Sequence, residues 1–315
     1  MGGLRFFQGN FSASYQARTQ SLTLYQQLGD AQGQVDTLCG LSYSAYYFGD
    51  AKGFDCVNEA IAIAQQAGIY QQNLAELMEI KGFWTIDLEV SKSCYAESLA
   101  AYEKKGDRLG FTRLLRELGS LASEQGDFDR ADDYLQRAVA ISREMKSLSD
   151  LMYCLVVSGD HAHHVGRYKQ MEACFQEAHA IAEKTGARAV FIWSTNHLGV
   201  AALRQGQLDR AVHLICESLE LAQKYGLNLL VYIACLAAVA ADLGCGLQSA
   251  RLIGMLEAQP GYLEWIGPIP RHELARIPSQ LRAMLGDEAY EAALLEGKAL
   301  TRVQALQLAK DAVNL

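Results

Sequence analysis

A glycine returns every 40 residues. Gly126, Gly166, Gly206 and Gly246 form a ladder, and Gly9 and Gly49 take the same step upstream. The text around the rungs repeats too, since "SEQGDFDRADDYLQRA" (123–138) is echoed by "LRQGQLDRAVHLICES" (203–218). A fixed period of this length confines a chain to architectures in which one supersecondary unit stacks on copies of itself, each burying an apolar face it cannot bury alone. Between Gly49 and Gly126 there is room for two units with a small deletion, the middle one degenerate around "IDLEVSKSCYAESLAAYEKKGD". About seven units then account for most of the 315 residues.

Inside a unit a second glycine follows the first by 20 residues, as in Gly9 with Gly29, Gly166 with Gly186 and Gly206 with Gly226, and by one fewer in Gly49 with Gly68. Between them apolar residues keep helical spacing: Leu208, Ala211, Val212, Ile215, Leu219 and Ala222 mark one buried face. The closing glycine suits the left-handed cap that glycine adopts cheaply, so units are expected to close near 29, 68, 106, 146, 186 and 226. A third glycine leads the first by seven at Gly119, Gly159 and Gly199. It falls mid-helix, where glycine costs about 1 kcal/mol relative to alanine, and close helix contact is the expected compensation. Composition agrees with a helical reading, since half the residues are hydrophobic and only four are proline.

Glycine, then a small residue three positions on (Ala122, Ala162, Ala202), then the turn glycine, an aromatic or Leu, and Ala or Met (Ala131, Met171, Ala211) closely resembles the tetratricopeptide repeat, a helix–turn–helix unit. The 40-residue step exceeds that family's usual ~34 and resembles the longer repeats of large bacterial regulators related to the maltose regulator. HEAT-like repeats share the period without this grammar. The resemblance implies an all-α fold: a right-handed α-solenoid (superhelix) of about seven TPR-like helical hairpins with a C-terminal helical cap. The array would fill residues 1–249, and residues 250–315 the last hairpin and cap. Three of the four prolines lie in this tail (268, 270, 278) and are expected to break it into shorter helices. Its segments "ARLIGMLEA" (250–258), "LRAMLGDEAYEAALLEGKALT" (281–301) and "QALQLA" (304–309) resemble the C-terminal region of bacterial signal-transduction ATPases and of LuxR- or maltose-regulator-like transcriptional regulators.

Only eight residues precede Gly9, too few for the first helix of that unit. Either a partner or a second copy covers the open face, giving a homodimer through the incomplete first repeat, or the chain belongs to something longer. No ATPase signature is present, because "EGKAL" at 296–300 lacks the upstream glycine and the hydroxyl residue of a phosphate-binding loop.

The net charge of −8 argues against a phosphate-backbone partner, so no direct nucleic acid is expected. The most apolar run, Leu229 to Ala241, is too short to span a bilayer and reads as a buried helix, with no membrane partner. Eight cysteines without a CxxC pair read as core filler in a reducing cytoplasm. HExxH and GxSxG are absent, "HELAR" at 272 lacks a second histidine, and the carboxylates have the spacing of exposed helix faces, so no enzyme and no cofactor are expected. In "GDHAHH", Asp160, His161 and His164 could share a face around a metal, but His164 aligns with Glu124 and Arg204 near an exposed helix end. A solvated, idle cluster is the expectation there, with no metal.

What remains is recognition. In arrays of this type the first helix of each unit lines the concave face, so large or charged residues there are the candidates. They are Tyr43, Tyr46, Trp84, Arg113, Arg116, Tyr153, Trp193, Asn196 and His197, with Tyr47, Phe83 and Asp160 beside them. Aromatics with two arginines suit an acidic or amphipathic peptide, a protein partner, or a small anionic effector; inter-repeat packing is the competing reading. A sensory region of a larger bacterial regulator, with an attached or partner ATPase or output domain, is the first expectation. A standalone adaptor is the second.

Overall fold

The computed structural model describes residues 11–48, 52–85 and 87–313. The fold class is all-α, helical hairpins stacked in the α-solenoid manner, without a strand among the described residues. In chain order the helices are α1 (Phe11–Leu28), α2 (Ala31–Phe48), α3 (Lys52–Gln66), α4 (Tyr70–Trp84), α5 (Leu88–Lys105), α6 (Arg108–Glu124), α7 (Phe128–Glu144) and α8 (Leu148–His164). There follow α9 (Tyr168–Thr185), α10 (Arg188–Arg204), α11 (Leu208–Tyr225), α12 (Leu230–Asp242), α13 (Gly246–Glu257), α14 (Tyr262–Trp265), α15 (Pro268–Leu285), α16 (Asp287–Lys298) and α17 (Arg302–Ala312). Two compact units result, Met1–Val157 with Glu183–Arg188, and Ser158–Ala182 with Ala189–Leu315.

The glycine grammar has a physical reason at each position. Gly126, Gly166 and Gly206 turn the chain at φ 78, 76 and 75°, a region that costs an L-residue about 1–2 kcal/mol. Gly29, Gly68, Gly106, Gly186 and Gly226 end helices at φ 67, 72, 67, 71 and 67°. Where the fourth unit ends, Lys146 takes the same conformation at φ 54°, the one non-glycine residue to do so among the described residues. Gly9 and Gly49 lie outside the described residues. Gly246 departs from its expected place: Gly244, at φ 82°, makes the turn, while Gly246 is buried inside α13, where a Cβ would stand 2.7 Å from Met284 Sδ.

The mid-helix glycines mark close contacts. A Cβ on Gly119 would stand 2.6 Å from Leu135 Cγ, on Gly159 2.6 Å from Phe175 Cε2, and on Gly199 2.5 Å from Ile215 Cγ1. Leu135, Phe175 and Ile215 are themselves 40 residues apart, so one large side chain per hairpin seats where its partner helix has none.

The first unit is closed by Leu38, Val57, Ala60, Leu77 and Ile80. In the second, α12 is buried from Tyr232 through Ala241 and packs against α11, α13, α15 and α17. No helix among the described residues is long and apolar enough to cross a membrane. The tail differs from the proline expectation. Pro268 and Pro270 open α15 behind Gly267, but Pro278 sits inside α15 without ending it. At the crossing of α13 and α16 two glycines meet: a Cβ on Gly254 would fall on the carbonyl oxygen of Leu294, and one on Gly297 on that of Arg251. Ion pairs Arg251 Nε–Glu296 Oε2 (2.7 Å) and Lys298 Nζ–Glu257 Oε2 (3.2 Å) flank it.

Candidate functional site

In the first unit α6 and α8 carry three of the candidate residues, Arg113, Arg116 and Tyr153, and Tyr43 on α2 feels the charges of Glu79 and Arg113. On α6, Arg113, Arg116 and Glu117 share a helical face at i, i+3 and i+4. Tyr153 on α8 stands 40 residues beyond Arg113, at the same repeat position.

Both arginines are engaged by carboxylates of the chain itself, Arg113 by Glu79 and Arg116 by Glu117. Glu79 on α4, with 4% of its side chain exposed, stands 3.5 Å (Oε1) from Arg113 Nε and accepts a 2.5 Å hydrogen bond at Oε2 from the Tyr102 hydroxyl. Arg113 Nη2 donates in turn to that hydroxyl at 3.1 Å. Arg116 donates from Nε (3.1 Å) and Nη2 (2.6 Å) to Glu117 Oε1, and its guanidinium lies 5.7 Å from the centre of the Tyr153 ring. Burial works against the charge of both arginines, yet Glu79 and Glu117 outweigh it and hold each above the usual arginine range. For Glu79 burial prevails, and its carboxyl is raised despite Arg113 and Tyr102. Half-buried Tyr43 feels the same charges, its phenol raised by burial and then by Glu79.

The other candidates are placed differently. The Tyr46 side chain, like that of Tyr47, lies outside the described residues. Trp84 packs its ring where Gly53 lacks a Cβ and stands edge-on to Phe83 at 5.7 Å, so it closes α3 against α4. Trp193, Asn196 and His197 belong to the second unit. Trp193 is half-buried. Asn196 is fully buried, donating to Cys235 Sγ at 3.2 Å and accepting from Ser218 Oγ at 3.4 Å. His197 meets the Phe175 ring at 4.8 Å, and burial, then His163, depresses its imidazole to about 3.

The second unit holds a charged network that local spacing does not reveal. His164 is exposed as expected, but His161 and His163 are buried, correcting the reading of a solvated cluster. His163 Nε2 lies 2.8 Å from Glu273 Oε1, on the "HELAR" segment of α15. Glu273 Oε2 pairs with Arg204 (3.0 Å) and Arg276 (3.1 Å), both of which also reach Asp242 at 2.8 Å. The His272 ring stands 5.1 Å from that of His163 and 5.6 Å from that of His164. Asp160 does not join in: its Oδ1 is buried without a hydrogen-bond partner, and burial raises the carboxyl to about 8. Among the described residues no group of three or more His, Cys, Asp and Glu could hold a metal ion.

Sequence reasoning passed over Glu76, Glu79, Tyr102 and Glu117. The signal for Glu79 was available, a carboxylate inside the otherwise apolar run "LMEI". Nothing local announces Glu273, which reaches its histidine across 110 residues.

Tetratricopeptide repeat family models match residues 113–145 and 155–224. These stretches carry tetratricopeptide repeats. Arg113, Arg116, Trp193, Asn196 and His197 fall within the matched stretches, and Tyr153 lies just before the second. No curated protein matches the chain. Solved structures of similar fold include the apo form of RapI (TM-score 0.54, 12% identity, 97% of this chain and 96% of that one). Another is a Signal Transduction ATPase with Numerous Domains with a tetratricopeptide repeat sensor from Pyrococcus horikoshii (TM-score 0.51, 13% identity, 93% of this chain and 46% of that one). Aspartyl phosphate phosphatase F from Bacillus subtilis is a third (TM-score 0.50, 12% identity, 99% and 82%). At these identities the likeness concerns the fold.

Proposed function

We propose that this chain is a non-enzymatic scaffold that binds a protein or peptide on the α2–α4–α6–α8 face of its first unit, as the sensory region of a larger bacterial, cytoplasmic signalling or transcription regulator. One observation carries the reading: Arg113, Arg116 and Tyr153, on the first helices α6 and α8, are fixed in place by Glu79 on α4, Tyr102 on α5 and Glu117 on α6. A rigid lining fixed by its own hydrogen bonds loses little freedom on binding. The tetratricopeptide matches support a protein-binding role. The Pyrococcus horikoshii protein, in which the matched region spans 46% of the chain, supports by analogy an attached ATPase or output domain. Signal would arise by population shift, since a ligand moves an equilibrium only through unequal affinity for its two states.

Two experiments test this. A photo-cross-linking residue placed at Tyr43 or Tyr153 should capture a discrete partner in source cells that the same residue at exposed Leu295 does not. Identical captures from both places would remove the face from consideration. An antibody against residues 281–315 should detect a native polypeptide several times heavier than 34.6 kDa; a band at that mass would favour the adaptor reading.

A further inference from the structure

We propose that a cavity of the first unit, apart from the face described above, binds a small apolar zwitterion, an aliphatic amino acid or a short aliphatic peptide. The cavity has a volume of about 530 Å³, within the range of small-ligand sites, and its walls come from α3, α4 and α5. On α5, Val90, Cys94 and Glu97 follow one another at i, i+4 and i+7 and so line up along one face. On α4, Tyr70 and Lys81 stand eleven residues, about three turns, apart and look the same way, with Glu79 about half a turn round from Lys81. The cavity therefore sits on the side of α4 away from Glu79, and a ligand there leaves the Glu79 and Arg113 pair untouched.

The inner wall is apolar. Met78 and Cys94 are 4% and 6% exposed and belong to one packed cluster, against which half-buried Ile61 and Tyr70 also rest. The Tyr70 hydroxyl donates to Met78 Sδ at 4.0 Å, which fixes the ring against that wall. Val90 lines the same cavity and is still 43% exposed. An aliphatic side chain laid over these residues buries apolar surface that the fold itself leaves open to water.

The charges around the cavity choose among ligands. Half-buried Lys81 makes no hydrogen bond through its ammonium and no ion pair within 4.0 Å among the described residues, and exposed Glu97 makes neither through its carboxylate. Glu89, the other carboxylate in the lining, is already paired with Lys92 at 3.0 Å. Both unspent charges are felt at the inner wall: burial raises the Cys94 thiol, with Lys81 opposing and Glu97 adding. A neutral apolar ligand would cover Lys81 and take its water without giving it a partner. A simple anion would satisfy Lys81 but meet Glu97, and a simple cation would satisfy Glu97 but meet Lys81. A molecule that carries a carboxylate for Lys81, an ammonium for Glu97 and an aliphatic group for the apolar wall meets all three demands and displaces no contact of the chain.

The test titrates the full chain at pH 7.0 by calorimetry with leucine and leucyl-leucine, beside N-acetyl-leucine, which lacks the ammonium, and leucinamide, which lacks the carboxylate. At least one zwitterion should bind about tenfold or more tighter than either blocked analogue, and the tighter of the two names the source, free amino acid or peptide. Lys81→Met should weaken it about tenfold, to the level of leucinamide, while Lys81→Arg retains it and the control Lys104→Met, at an exposed site outside the cavity, changes nothing. If Lys81→Met melts early, Glu97→Gln decides, since at its exposed position it should weaken the zwitterion several-fold and leave N-acetyl-leucine unaffected. Blocked analogues that bind as well as the zwitterions, zwitterion binding indifferent to both Lys81 and Glu97, or binding of neither zwitterion overturns the proposal. None of these outcomes bears on the protein-binding reading of the first-helix face, which the cross-linking at Tyr43 and Tyr153 tests by itself.

Discussion

Glu79 and Lys146 show how much a single position can demand. Glu79 is 3% exposed and keeps its place through Arg113 and Tyr102. Arg113→Met should therefore cost about 3 kcal/mol in a denaturant melt, mostly from the stranded carboxylate. The double variant with Glu79→Gln should recover part of the loss; a double variant no better than the single would contradict the pairing. Lys146 holds a left-handed conformation that five helix ends in this chain give to glycine. Lys146→Gly should stabilise the fold by up to about 1 kcal/mol, read as a raised midpoint in urea. The arginines and tyrosines proposed for the site stood out in the sequence because the apolar pattern of a first helix does not call for large polar residues there. The pairing of Glu79 with Arg113 did not, since the two stand on different helices, although the carboxylate itself stood out in an apolar run.

Helices α13 and α16 owe their crossing to two residues without side chains. Gly254→Ala or Gly297→Ala would drive a methyl group into a backbone carbonyl that cannot swing aside, so each should destabilise by at least about 1–3 kcal/mol. An unchanged thermal midpoint for either would mean that the crossing is looser than drawn. This contact gives a physical sense to the tail segments "ARLIGMLEA" and "LLEGKALT", which hold the two glycines. Among the repeats, periodicity disclosed the hairpins and the close helix contacts at Gly119, Gly159 and Gly199, because each glycine serves a neighbour within its own hairpin; which side chain fills each contact came from the structure. It misled at Gly246, where a two-residue shift moved the turn to Gly244, and at Pro278, which α15 accommodates.

For the molecule as a whole, acidity pulls in two directions. Asp160, raised to about 8 by burial, must keep a proton that the unfolded chain releases near 3.8, so its contribution to stability is full below 3.8 and is lost as pH rises toward 8. Asp160→Asn should thus stabilise by roughly 2–4 kcal/mol at pH 7 and by less at pH 5, a comparison two thermal scans would settle. His272 works oppositely: burial, then His163 and His164, lower its imidazole below 6.5, so stability falls as pH drops through 6.5. Glu273 resists burial through His163, Arg204 and Arg276, so its carboxyl is lowered and its contribution survives until pH falls below about 4.5. His272→Gln should flatten the first decline in thermal midpoint and leave the second. One feature of the fold also reaches into the making of the chain. The ribosome releases α12, apolar on every side, well before α15 and α17 exist to cover it. During that interval of synthesis the nascent chain carries a naked greasy rod, a natural client for a holding chaperone and the point at which a translational pause would do most harm.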